Sequence, residues 1–162
     1  MVILCIDPGP KESAYVVWNT VGHNFENDLG GIENKGLVST EGMIGRLQRL
    51  YYMVNMVAME MVQSYGQAVG RETFATALNV GRFTQALFDK GSSTPIKYYA
   101  RPTIKGQVGG RTDSEVNRAI RLRYGNAKKG ELLEGVKHDI WSALAIAIAL
   151  EENPNLKEWR IE

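Results

Sequence analysis

The chain opens on a strand that ends in a carboxylate set inside a turn: Val2-Ile3-Leu4-Cys5-Ile6-Asp7-Pro8-Gly9. A short apolar run stopped by Pro and Gly reads as a buried strand, with Asp7 at its C-terminal tip. A second β-branched and aromatic run follows at once, Ser13-Ala14-Tyr15-Val16-Val17-Trp18, and a brief third near Gly36-Leu37-Val38-Ser39. Strands joined this closely form a meander, so the early part of the sheet is expected to be antiparallel. The period then changes. Met43, Leu47, Leu50 and Tyr51 recur at helical spacing within Thr40 to Tyr52, and a strand over Val54 to Met61 carries Glu60 at its end.

The rest of the chain alternates in the same way. A Gly-rich connection, Ser64 to Arg71, leads to a helix over about Glu72 to Lys90, and Pro95 to Ala100 is a fifth strand. Arg101 to Arg111 reads as a polar, basic, Gly-rich loop. Asp113 or Thr112 caps a helix ending near Tyr124-Gly125, and Asn126 to Gly135 reads as a mobile loop. A last helix over Lys137 to Glu152 carries Ile140, Leu144, Ala147 and Leu150 inward. In the helix 72–90, Phe74, Leu78, Gly81 and Gln85 mark one face, and Val80, Leu87 and Phe88 another. Apolar residues on two faces imply burial on two sides, against the sheet and against a second subunit.

At 162 residues the expectation is one α/β domain over 1–162, with a five-stranded mixed sheet and helices on both faces. The single cysteine, Cys5, excludes an internal disulfide and a cysteine-based zinc site. The longest apolar stretch, Ala143 to Leu150, is far short of the ~20 residues a membrane span needs, and no signal-like segment opens the sequence. The expectation is a soluble protein of a reducing compartment, with no membrane partner.

Net charge is +1, but it is unevenly spread. Lys97 to Lys129 holds nine basic residues against two acids, +7 in one segment and −6 elsewhere. Such asymmetry points to a polyanion partner, and the competing reading is a solvated helix face. Three acids stand at element ends. Asp7 tips the first strand, Glu60 ends the fourth, and Asp139 lies in the first turn of the last helix, with His138 before it and Ser142 on its face. Singly, each also reads as an ordinary turn, strand-end or capping acid. If the fourth strand lies parallel beside the first, Asp7 and Glu60 emerge at the same sheet edge, where active groups of open α/β sheets collect.

The order β(Asp)–ββ–α–β(Glu)–α–β–α–α(Asp) resembles the RuvC family of Holliday-junction resolvases within the ribonuclease H-like superfamily. The resemblance rests on Ile3 to Gly9, on Val57-Ala58-Met59-Glu60-Met61-Val62, and on the run His138 to Ala147. Arg101 to Gly110 also matches the family's Lys-containing, Gly-rich segment, so nearly the whole chain is covered. The compact length and Gly81-Arg82-Phe83 resemble the phage-encoded branch, which implies the cytoplasm of a bacterial host. One position departs: where relatives place a second metal-competent residue one helical turn after the first, this chain has Ser142.

This resemblance implies metal-dependent hydrolysis of phosphodiesters in four-way DNA junctions, with Asp7, Glu60 and Asp139 as catalytic and metal-binding residues and His138 as a further candidate ligand. Oxygen donors favour Mg²⁺, with Mn²⁺ substituting. Lys105 is the phosphate clamp, and the DNA-contacting set adds Arg101, Arg111, Arg71 and Tyr65, an aromatic suited to stacking on an unpaired base. Paired cuts in a near two-fold junction call for a homodimer, and the helix 72–90, with Ala77-x-x-x-Gly81, is the candidate interface. Two rivals stay open: a broader flap or fork nuclease, and a catalytically weak junction-binding protein.

Overall fold

The computed structural model describes residues 1–21, 30–63 and 68–160. Five strands form one mixed sheet: β1 (Val2–Asp7), β2 (Glu12–Asn19), β3 (Gly31–Ser39), β4 (Met56–Met61) and β5 (Ile96–Ala100). Their spatial order is β3-β2-β1-β4-β5. The pairs β1–β2 and β2–β3 are antiparallel, whereas β1–β4 and β4–β5 are parallel. The meander is therefore where the short turns demanded it, and the parallel half follows from helical crossovers. Five helices complete the described chain: α1 (Thr40–Leu50), α2 (Arg71–Phe88), α3 (Arg101–Val108), α4 (Asp113–Tyr124) and α5 (Ile140–Glu152).

Strand alternation divides the core into two layers, one on each face of the sheet. Leu4, Ile6, Tyr15, Val17, Val57 and Met59 pack with Met43 and Leu47 of α1 and with Val80, Phe83 and Leu87 of α2. Ile3, Cys5, Ala14, Val16, Trp18 and Ala58 pack with α3, α4 and α5 on the opposite face. The two-residue period of a strand sends neighbours to opposite layers, so β1 is buried on both sides. Helix α5 is buried almost all round, from Ile140 to Leu150. A helix apolar on every face belongs inside, and α5 lies between the sheet and α3 and α4.

Four boundaries differ from the sequence reading. Strand β3 starts at Gly31, because its polar residues Asn34 and Lys35, and Gly31 and Ile32 beyond an irregularity at Glu33, still pair with β2 as an edge strand. The basic segment expected as a loop is helix α3: Pro102 sits in its first turn, and Ile104 and Val108, one turn apart, are buried. Gly109 ends it in the left-handed region at φ 99°, where a side chain is strained. Helix α5 begins at Ile140 instead of Lys137, because His138 is left-handed at φ 48°. The segment Asn126 to Gly135 is anchored, since Leu133 is fully buried in the core. Among the described residues no helix is long and apolar enough to cross a membrane.

Candidate active site

Pairing of Ile6 with Met59 in the parallel β1–β4 ladder places Asp7 and Glu60 one step further along, side by side at the C-terminal sheet edge. Asp7 enters a tight turn. A Cβ on Gly9 would lie 2.1 Å from the backbone oxygen of Glu12, so only glycine lets the chain double back into β2. The turn is braced from two directions. The Gly9 N–H donates to the Ser13 hydroxyl at 3.3 Å, and Asn79 of α2 donates its amide to the Gly9 oxygen at 2.9 Å and to the Pro10 oxygen at 3.4 Å. Asp139, the N-cap residue of α5, reaches the same edge because α5 packs across β1 and β2.

The electrostatics of this edge are those of crowded negative charge. Burial, then the neighbouring Glu60 carboxylate, with a further push from Asp139, drives the Asp7 carboxyl up to about 8. Arg101 and a hydrogen bond with Ser142 oppose the rise. Burial also raises Glu60, against the pull of Arg101. Among the described residues no three His, Cys, Asp or Glu side chains converge closely enough to hold a metal ion. Instead Arg101 Nη1 donates to Glu60 Oε1 at 3.0 Å. Mutually repelling oxygen donors around the half-buried Asp7 carboxylate nevertheless suit a hard cation, whose charge would remove the repulsion.

The remaining candidates fall into three groups. Arg101 and Lys105, one turn apart on α3, both reach Asp113 Oδ1, Arg101 Nη2 and Lys105 Nζ each at 2.9 Å. Burial raises Asp113, but the hydrogen bonds from Lys105 and Arg101 together outweigh it and hold the carboxyl below its ordinary value. Arg111 and Arg71 are exposed, Arg111 before α4 and Arg71 opening α2. His138 is exposed, and no hydrogen bond or ion pair among the described residues joins its ring to the three acids. Tyr65 lies outside the described residues.

Asn79 and Asp113 are the site residues that sequence reasoning missed or took for something else. Asn79 is 4% exposed on the buried side of α2, and an amide in line with the apolar Val80, Phe83 and Leu87 was the available signal. Its two acceptors are backbone carbonyls of the Asp7 turn, so Asn79→Ala leaves both unsatisfied. The expected cost is ~1–3 kcal/mol of stability, read as a lower midpoint in urea unfolding. An unchanged midpoint would show that water satisfies the turn.

No protein-family model matches the chain, and no curated protein matches it. Solved structures do. Thermus thermophilus RuvC superposes with a TM-score of 0.72 at 20% identity, covering 98% of this chain and 100% of that one. The same protein in complex with a Holliday junction substrate gives 0.72 at 18% identity, with 98% and 99% covered. The yeast mitochondrial Holliday junction resolvase Ydc2 gives 0.60 at 11% identity, covering 93% of this chain and 78% of that one. The fowlpox virus Holliday junction resolvase gives 0.55 at 16% identity, with 94% and 99% covered. Strand order, two-layered core and the carboxylates at one sheet edge thus belong to a chain that has the ribonuclease H-like fold of RuvC and other Holliday junction resolvases.

Proposed function

We propose that the chain is a metal-dependent endonuclease that resolves four-way DNA junctions, acting as a homodimer of single-domain subunits. The observation that carries this reading is the placement of Asp7 and Glu60 side by side at one sheet edge, with Asp139 at the start of the helix that packs across β1 and β2. The fold match over the full length of both chains supports it. Asp7, Glu60 and Asp139 would hold Mg²⁺ or Mn²⁺, and a bound divalent ion supplies Lewis acidity and an activated water for in-line phosphodiester hydrolysis. Ser142, one helical turn after Asp139, is the hydroxyl placed to orient the Asp7 carboxylate. Asn79 fixes the turn that presents it. Lys105 and Arg101 bind phosphate oxygens beside the acids, and exposed Arg71 and Arg111 extend the phosphate-contacting surface.

Helix α2 supplies the surface for a second copy. Phe74 and Leu78 are each more than 60% exposed and share a stripe with Gly81, where nothing lies within 4 Å of a Cβ position. Phe88, expected on the face of Val80 and Leu87, is instead exposed and extends this stripe, because Val80 and Leu87 are buried against the sheet. Large apolar side chains around a bare backbone suit close approach of an identical helix across a two-fold axis. Phe74→Glu combined with Leu78→Glu is expected to convert dimer to monomer in sedimentation velocity. Thermal stability of the single subunit should hold, because neither side chain is in the core. A dimer that survives both charges would move the interface elsewhere.

A second reading, a junction-binding protein with weak or no cleavage, is favoured by Ser142 and by the absence among the described residues of a closed metal-binding trio. Incubation with a labelled four-way junction, a flap and a linear duplex in Mg²⁺ separates the readings. Preferential cutting of the junction supports resolution, and comparable cutting of the flap supports a broader branched-DNA nuclease. Binding of the junction without cutting supports the second reading.

A further inference from the structure

We infer that Asp113 is a built-in stand-in for a DNA phosphate: its carboxylate occupies a phosphate-oxygen site formed by Arg101 and Lys105, and entering DNA displaces it. The inference rests on the nuclease reading and adds a device that regulates the same site.

Two cations converge on a single oxygen. Arg101 Nη2 and Lys105 Nζ each lie 2.9 Å from Asp113 Oδ1. They can do so because residues four apart on a helix share a face, here that of α3. A guanidinium edge and an ammonium aimed at one anionic oxygen make the arrangement that binds phosphate. The other Arg101 nitrogen, Nη1, is held by Glu60 Oε1 at 3.0 Å. An oxygen in the place of Asp113 Oδ1 is therefore one guanidinium away from the acid cluster, where a backbone phosphate must come for hydrolysis.

The acid that fills this place is the one most easily removed. Side-chain exposure is 63% for Asp113, against 38% for Arg101 and 18% for Lys105. The binding groups are set back and the carboxylate sits on the solvent side, so a phosphate arriving from solvent meets Asp113 first. Displacement disturbs no packing, because the Asp113 side chain is mostly in solvent. Nor does helix α4 need this carboxylate as its cap, because Thr112 and Glu115 form a complete capping box. Asp113 and a phosphodiester each carry one negative charge, so the exchange leaves the site's charge unchanged. The consequence is selectivity: a DNA that makes only one or two phosphate contacts must compete with an internal anion, whereas a ligand with many contacts overcomes it.

The experiment measures binding of a linear duplex and of a four-way junction in EDTA, so that no cleavage intervenes, for wild type, Asp113→Asn and Glu131→Gln. Glu131 is exposed outside the Arg101–Lys105 cluster, and its variant corrects for the loss of one negative charge. Asp113→Asn is expected to bind linear duplex about tenfold more tightly than Glu131→Gln at low salt. The slope of log K against log[salt] should steepen by about 1–2, as one or two freed cations take up phosphate. Gain should be smaller on the junction. Binding by Asp113→Asn equal to that of Glu131→Gln, or weaker than wild type, overturns displacement and makes Asp113 a residue that positions the two cations. Absence of DNA binding in all three proteins overturns the nuclease reading, and the displacement falls with it.

Discussion

Asp7→Asn is expected to remove junction cleavage, by more than ~10³-fold in rate, while leaving junction affinity within a few-fold of wild type. A loss of that size corresponds to about 4 kcal/mol of barrier. The reason lies in the separation of charges. Asp7 sits at the centre of the acid edge, acted on by both Glu60 and Asp139, whereas the cations that meet phosphate lie on α3. Asparagine keeps the shape and the turn but removes the anionic charge needed to hold a divalent ion. A second outcome follows from the same burial. Above pH 8 the wild-type carboxylate is ionised at a cost in the absence of metal, so Asp7→Asn is expected to be the more heat-stable protein in EDTA at pH 9. Cleavage rates on a labelled junction and melting curves check both halves. Near-wild-type cleavage would remove Asp7 from the site.

The metal-free protein is expected to lose stability as pH rises, and a divalent cation is expected to restore it. Asp7 is pushed from 3.8 up to about 8, so the folded state holds this proton more tightly than the unfolded chain. Between those values the folded protein binds more protons than the unfolded one, and the unfolding free energy falls with increasing pH. The stabilisation is complete below pH ~4 and is lost as pH passes through about 8. Glu60, raised by burial, acts in the same direction. The summed effect on this edge is on the order of a few kcal/mol, or ~5–10 °C in Tm. Millimolar Mg²⁺ should flatten the slope by compensating the ionised carboxylates, and most of the gain should appear near pH 8. Calorimetry in EDTA and in Mg²⁺ at pH 5 and pH 8 measures it. A Tm that is independent of Mg²⁺ at both values would contradict a cation site at these acids.

The first strand, its turn and the meander are legible in residue type alone. The apolar run Ile3 to Ile6 and the short turn to Ser13 left little choice but a buried strand in a meander, and the β1–β4 register then set Asp7 beside Glu60. Local patterns were poorer guides where tertiary packing decides. Helix α3 looks like a loop in sequence because its Gly106, Gly109 and basic residues mask a stripe of only two buried side chains, Ile104 and Val108. The start of α5 was set too early because a left-handed backbone at His138 has no signature in residue type. The pairing of Arg101 with Glu60 and Asp113 joins residues 41 and 12 apart in sequence, beyond the reach of any spacing argument. Asn79 was hidden for the same reason: its partners lie 70 and 69 residues away.

Two acid edges related by a two-fold axis are expected to cut junction DNA as a symmetric pair. Mapping the nicks on a synthetic four-way junction, each strand labelled in turn and Mg²⁺ added last, tests this most directly. Metal-dependent nicks are expected at matching positions in two opposed strands, sealed by ligase into linear duplexes, with none in Asp7→Asn. Unpaired nicks scattered over all four strands, or cutting that persists in Asp7→Asn, would contradict this expectation.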